Sequence, residues 1–299
     1  MAGALYFCSM KSLIAILALA FANPVAEVED NSIPTDTLHI ESIEVTASLK
    51  SDDALRTPIA STELSMSRIE RMGVSSIKDV SLIAPNFYQP NYGSSITSSI
   101  YVRGFGSRID QPVLGVTIDD IPLMNKNAYD FDFYDIRKLE LLRGPQGTLY
   151  GRNTSGRVMN ITTLSPLSWQ GLRAMAEYST MTSYRASVAY YTKPRDNFGI
   201  SAAAHFSHDG GYFRNTYTDQ MCDRGNNASA RLRMQWLLRD NWSLDNSLTW
   251  GYTKEGGYAY HHLSPTTNTT EAVAYNDPAG YERIAITEGF VAKYQGEKI

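Results

Sequence analysis

Beyond Pro166, apolar and small residues fall on alternate positions. Ala174, Ala176 and Tyr178 share one side of a first run, Ala186, Val188 and Tyr190 of a second, and Ile200, Ala202, Ala204 and Phe206 of a third. Most intervening residues are polar or small. A period of two predicts extended strands with one apolar face. Pro194-Arg195-Asp196-Asn197 and Arg239-Asp240-Asn241 read as tight turns, whereas Ser207 to Asn227 and Lys254 to Asp277 are long, aromatic, glycine-rich connections. Strands of about ten residues whose connections alternate short and long predict a membrane-spanning β-barrel. A soluble β-sandwich shares the periodicity, and at this point the two readings stay open.

Residues 51–166 have a different texture. Met66, Ile69 and Met72 lie on one helical face closed by Gly73, and Ser75 to Pro85 repeats the pattern, with serine as cap and Pro85 as stop. Strands are expected at Ser99–Arg103, Gly115–Ile118 and Lys138–Leu142, separated by Gly, Pro and Asp-Asp. This segment reads as a small α+β domain.

The first residues carry an export pattern. Lys11 precedes an apolar run from Leu13 to Ala22 that ends in Ala20-Phe21-Ala22. A basic start, a short apolar stretch and an Ala-x-Ala site predict a signal peptide over 1–22, with Met10 an alternative start. The run is too short for a bilayer anchor, which needs about 20 residues. Residues 23–50 follow as an acidic, Pro-containing linker that closes on a β-prone stretch, Ile40, Ile43 and Val45. That stretch suits addition to another protein's sheet edge, or equally the first strand of the next domain.

Composition narrows the chemistry. A formal net charge of -4 without blocks of like charge leaves no electrostatic footprint for nucleic acid. Of the 2 cysteines, Cys8 precedes the apolar run, so cleavage leaves Cys222 alone, without a disulfide or a cysteine metal site. His205 with His208 and His261 with His262 have no third ligand in a metal-site spacing, and ordinary hydrogen bonding is the expected role. Neither G-x-S-x-G nor H-E-x-x-H occurs, so an enzyme is not expected, nor a cofactor.

Three blocks carry a family resemblance: Tyr101-Val102-Arg103-Gly104-Phe105-Gly106, Val116-Thr117-Ile118-Asp119-Asp120-Ile121-Pro122, and Leu139-Glu140-Leu141-Leu142-Arg143-Gly144-Pro145-Gln146-Gly147-Thr148-Leu149-Tyr150-Gly151-Arg152-Asn153-Thr154-Ser155-Gly156. In this order they closely resemble the plug of TonB-dependent outer-membrane receptors. The resemblance implies an α+β plug domain over 51–166, then antiparallel strands of an incomplete transmembrane β-barrel over 167–299. Family barrels have about 22 strands and this segment has room for roughly six, so a partial receptor that does not transport by itself is expected.

The resemblance also implies roles. Glu41, Ser42, Ile43, Glu44, Val45, Thr46 and Ala47 look like the TonB box. Arg103 and Arg143, each before a glycine, are expected to pair with carboxylates as structural gatekeepers. Gly104, Gly144, Pro145, Gly147, Gly151, Asn153 and Gly156 are expected to shape the compact plug turns. Where the family usually has a second glycine after Gly156 this chain has Arg157, which a backbone at positive φ would strain. Phe87, Tyr88, Gln89, Asn91 and Tyr92, with Asn125 and Tyr129, form aromatic, amide-rich loops suited to a chelate or to packing on the wall. Tyr212, Phe213, Tyr217, Tyr258 and Tyr260 in the long loops can assist or serve as girdle residues.

The implied function is energy-coupled uptake of a scarce ligand, an iron–siderophore complex or cobalamin, in the outer membrane of a Gram-negative bacterium. Its partners would be TonB with the inner-membrane energising complex, outer-membrane lipid, and the small chelate or corrinoid. The alternatives are a passive porin or adhesin barrel and a soluble periplasmic β-rich binding protein.

Overall fold

The computed structural model describes residues 44–45, 52–53, 61–90, 99–106, 114–125, 129, 131–143, 157–239, 241–257, 259–261, 263–269, 271–277 and 279–294. All fall within one unit, Ser42–Ile299. Two short strands, β1 (Glu44–Val45) and β2 (Asp52–Asp53), pair antiparallel. Strand β3 (Ser61–Ser65) leads into helix α1 (Met66–Arg71). The helix ends because Gly73 adopts φ +63 while the Gly73 and Val74 N–H groups bond back to the Glu70 and Ile69 carbonyls. Ile69 is its buried residue, and Met72 turns out to solvent.

The second expected helix is a 3-10 turn over Lys78–Leu82. Its cap differs from the expected serine: the Asp79 carboxylate accepts from the Ser75 and Ser76 N–H groups at 2.8 and 2.9 Å. One carboxylate thus holds two donors at the start of a single short turn.

The remaining plug strands are β4 (Phe87–Tyr88), β5 (Tyr101–Val102), β6 (Phe105–Gly106), β7 (Leu114–Ile118), β8 (Ile121–Pro122), β9 (Ile136–Arg143) and β10 (Arg157–Thr163). The five-stranded sheet runs β3-β9-β10-β7-β8, with only the β10–β7 pair parallel. Leu64, Leu114, Val116, Leu139, Leu141, Met159 and Ile161 fill its core. A polar rung crosses three strands inside it. Thr117 donates to Asn160 Oδ1 at 2.9 Å, Asn160 donates to Glu140 Oε2 at 3.1 Å, and Lys138 donates to the other Glu140 oxygen at 3.0 Å. Burying Glu140 is tolerable because both oxygens are engaged.

A six-stranded antiparallel wall follows, ordered β11 (Gly171–Tyr178), β12 (Tyr184–Arg195), β13 (Phe198–Asp209), β16 (Gly225–Arg239), β17 (Trp242–Gly256) and β18 (Gly280–Tyr294). The small hairpin β14 (Arg214–Asn215) and β15 (Gln220–Met221) lies in the first long connection. Asp196–Asn197 makes a tight turn at one end, where β16 also passes to β17 with Arg239 paired to Trp242, and the two long connections share the other. Ala202, Ala204 and Phe206 face outward, while Ala203, His205 and Ser207 turn inward and are buried. Alternation along the wall therefore separates an outer apolar face from an inner face against the plug. Phe198 stacks on Trp236 at 4.6 Å and Trp242 meets Tyr294 at 5.1 Å near the short-turn end, as an interfacial aromatic girdle does.

Candidate functional site

The plug and the wall are joined by buried polar contacts in which the wall supplies the cations and the plug the carboxylates. Asp132 accepts from Ser207 Oγ at 2.7 Å and lies 2.9 Å from His205 Nε2. The His205 ring stacks on Tyr134, with centroids 5.3 Å apart. Arg231 Nη1 donates to Asp135 Oδ1 at 2.5 Å, and the guanidinium lies over the Tyr134 ring at 5.4 Å. Arg233 reaches Asp119 Oδ1 at 3.0 Å and Thr163 Oγ1 at 2.7 Å from the plug, and is held on the wall by Asp245. Asp119 is itself fixed by the Thr163 N–H and hydroxyl.

Burial alone would raise the Asp132 carboxyl. The hydrogen bond and charge of His205, the Ser207 hydroxyl and the Arg185 charge together hold it below its ordinary value. A carboxylate depressed in the folded state contributes stability that is fully present above its unfolded value, about 3.9, and lost as pH falls through the folded value. Wild type should therefore exceed Asp132→Asn in melting temperature by a constant margin at neutral pH. That margin should shrink below about pH 4. Parallel melting curves down to acid pH would refute the assignment.

The expected gatekeepers are placed differently. Arg103 lies with Gly104 in the β5–β6 turn, at φ 52 and 82, and is exposed; the turn needs backbone at positive φ, not a paired guanidinium. For Arg143 the structure describes backbone, opposite Arg157. Arg157 sits in extended β10, fully buried, with both terminal nitrogens donating to the Pro85 carbonyl at 3.2 and 3.3 Å. The expected strain is absent because this backbone position is a strand and not a left-handed turn.

Of the expected ligand residues, Phe87 is a core residue and so is Tyr129, whose hydroxyl donates to the Leu114 carbonyl at 2.9 Å. Burial pushes the Tyr129 phenol up to about 12. Phe87 serves plug packing, whereas Tyr129 packs in the core and also borders the cavity at the long-loop end. Tyr88 and Asn125 are exposed. Gln89 lines a cavity of about 200 Å³ at the long-loop end, between Ser76 and Asp132 of the plug and Asn227 and Glu255 of the wall. Glu41, Ser42, Ile43, Thr46, Ala47, Asn91, Tyr92, Gly144, Pro145, Gly147, Gly151, Asn153 and Gly156 lie outside the described residues, as do Tyr258 and His262. Glu44 and Val45 pair with Asp53 and Asp52.

The long connections hold one another. Asn215 donates to the Tyr275 carbonyl at 2.8 Å, Thr216 N–H to Val273 at 2.8 Å, and His261 meets Phe213 edge-on at 5.3 Å. Tyr212, Phe213, Tyr217 and Tyr260 remain exposed. No group of three metal-ligating side chains occurs among the described residues. His205, Arg231 and Arg233 escaped the sequence reading as a site. The one available signal was their polarity at inward positions of otherwise apolar or small strands.

Residues 53–158 match the family model described as the TonB-dependent Receptor Plug Domain. The pesticin receptor of Yersinia enterocolitica is 31% identical over 174 residues, which cover 57% of this chain and 24% of that protein. The vitamin B12 transporter of Vibrio vulnificus is 28% identical over 173 residues, covering 54% and 26%. The crystal structure of the ferric yersiniabactin uptake receptor of Yersinia pestis superposes with a TM-score of 0.69 at 21% identity, over 80% of this chain and 39% of that one. The matched segments thus span about a quarter of the curated relatives' length.

Proposed function

We propose that this chain, whose residues 53–158 match the plug of TonB-dependent receptors, is part of such a receptor in the Gram-negative outer membrane and serves energy-coupled uptake of a scarce ligand, an iron–siderophore complex or cobalamin. The observation that carries this reading is the plug fastened to the inner face of an outward-apolar strand wall, with a polar cavity open at the long-loop end. A passive pore has no use for such a plug, and a soluble binding protein has none for an apolar outer face.

In this mechanism the ligand settles over the plug at the loop end. Gln89 and Tyr129 border the cavity there and supply hydrogen-bonding and stacking groups. The segment Glu41–Ala47 pairs with TonB by strand addition, which transmits force through backbone hydrogen bonds. Work done on the plug then goes into separating plug carboxylates from wall cations, as at the Asp120–Lys293 pair. No bond to the ligand is made or broken.

Uptake of a panel of labelled ferric chelates and cobalamin by cells expressing the transport-competent receptor tests this reading. At least one should accumulate in energised cells, and a protonophore should reduce the signal to surface binding. Accumulation indifferent to the protonophore would make the protein a passive pore.

A further inference from the structure

Three hollows lie between the plug and the wall, the outer one mainly against β11–β13 and the other two against β16–β18. The outer one, about 200 Å³, ends at Asn227 and Glu255. A middle one of about 90 Å³ lies between Ile118, Ile121 and Phe131 of the plug and Thr249, Ala285 and Thr287 of the wall. An inner one of about 280 Å³ lies between Asp119 and Asp120 and the wall residues Asp245, Val291 and Lys293. Along β17 the lining passes in order from Glu255 through Thr249 to Asp245, and along β18 from Ala285 to Lys293. Each is smaller than the roughly 300 Å³ at which ligand pockets begin, so none alone passes a chelate.

The partition between the middle and inner hollows is one element, the β7–β8 hairpin (Leu114–Pro122). Ile121 presses on Gly289 so closely that a Cβ there would lie 2.3 Å from Ile121 Cδ1. Its turn residues bond to the same wall, Asp119 to Arg233 and Asp120 to Lys293. Both turn residues have positive φ, 51 and 67, an arrangement that persists in non-glycine residues where surrounding contacts hold it. β8 is a two-residue edge strand, so displacing it leaves the β3-β9-β10 ladder intact. Asp132 and Asp135 fasten the plug to β13 and β16 from a different segment, Phe131–Asp135.

We infer that the middle and inner hollows are one interrupted translocation route along β17–β18, reached from the outer hollow, and that β8 with the adjoining Asp120 is its gate, seated on Gly289. The proposal rests on the uptake reading and adds to it where the ligand passes. Peeling back this short edge, Asp120–Pro122, joins and widens the two hollows while β7 stays on β10 and Asp132 and Asp135 stay docked.

The test is a reversible tether across the gate. Ile121 Cγ1 and Cγ2 lie 2.5 and 2.7 Å from the Gly289 Cβ position, which puts the two Cβ positions within about 4 Å, inside disulfide reach. In the transport-competent receptor, oxidised Ile121→Cys with Gly289→Cys should keep surface binding of the transported chelate and lose energised uptake. Reduction should restore that uptake. Asp120→Cys with Lys293→Cys, bridged by a reducible bifunctional thiol reagent because that ion pair spans two side chains, makes the same prediction without replacing the glycine. As a control, Glu70→Cys with Arg173→Cys, bridged by a bifunctional thiol reagent, joins α1 to β11 away from the hollows and should leave uptake unchanged. Uptake that persists under both gate tethers overturns the route. Equal loss under the control tether also overturns it, because the plug would then leave as one body. A receptor that takes up no chelate even when reduced sinks the uptake reading along with the route.

Discussion

Arg231→Ala is expected to destabilise the docked plug by about 3–5 kcal/mol, because it strands the buried Asp135 carboxylate rather than merely deleting a contact. The two side chains are 5% exposed each and meet at 2.5 Å, so neither has water to fall back on. Arg231 also gives up its position over Tyr134 and its hydrogen bond to Thr249 at 3.4 Å. The exposed pair Arg185–Glu177, at 3.6 Å, supplies the contrast. Its removal should cost at most about 1 kcal/mol, since water and salt already screen it. Chemical denaturation of the detergent-solubilised receptor, followed by protease protection of the plug, reads both. In the double variant Arg231→Ala with Asp135→Ala the loss should fall well short of the sum of the singles, since no charge is left unpaired. A loss for Arg231→Ala no larger than that for the exposed pair would show that Asp135 finds another partner and that the pair does not fasten the plug.

Deleting Glu41–Ala47 should abolish energised uptake and leave chelate binding at the cell surface intact. The expectation rests on the separation of tasks proposed above, with ligand binding at the loop end of the plug and coupling through Glu41–Ala47. Among the described residues, Glu44 and Val45 already take extended backbone, paired in register with Asp53 and Asp52, as strand addition requires. That pairing is what a partner strand would replace. The measurement is accumulation of the transported chelate with and without a protonophore, beside binding at low temperature. Uptake equal to wild type would place the coupling contact elsewhere in the chain. Loss of binding as well would mean that the deletion disturbs the plug itself.

Local rules were enough for the elements. Alternation assigned Ala174, Ala176, Ala186, Val188, Ala202, Ala204 and Phe206 to one face, and the structure has them on the outer one. This was legible because a strand's two faces are set residue by residue. Gly73 ended α1 as a glycine at positive φ should. The turn beginning at Lys78 came out as 3-10 rather than α-helical. Its start is governed by a carboxylate four residues along, and a serine before a helix can serve either as cap or as client of that carboxylate.

The site was less legible than the elements. The motif blocks located the plug but misdirected its charges: the buried arginines that meet plug carboxylates are Arg231 and Arg233 of the wall, whereas Arg103 of the plug is exposed. Asp135 and Arg231 are separated by 96 positions, and nothing local to either one names the other. Phe87 and Tyr129 have the composition of a ligand loop, yet both rings point into the core, because an aromatic beside a short strand can turn either way and packing chooses.

By itself the sequence determined the plug domain and the outward face of the wall, since these follow from blocks contiguous along the chain and from backbone periodicity. Tertiary structure alone decided which carboxylate meets which arginine, that Arg157 lies in a strand bonded to Pro85, and that the β7–β8 hairpin closes on Gly289. Such contacts depend on where two separately folded segments come to rest, and a buried charge or a missing Cβ acquires its meaning only from the atoms brought against it.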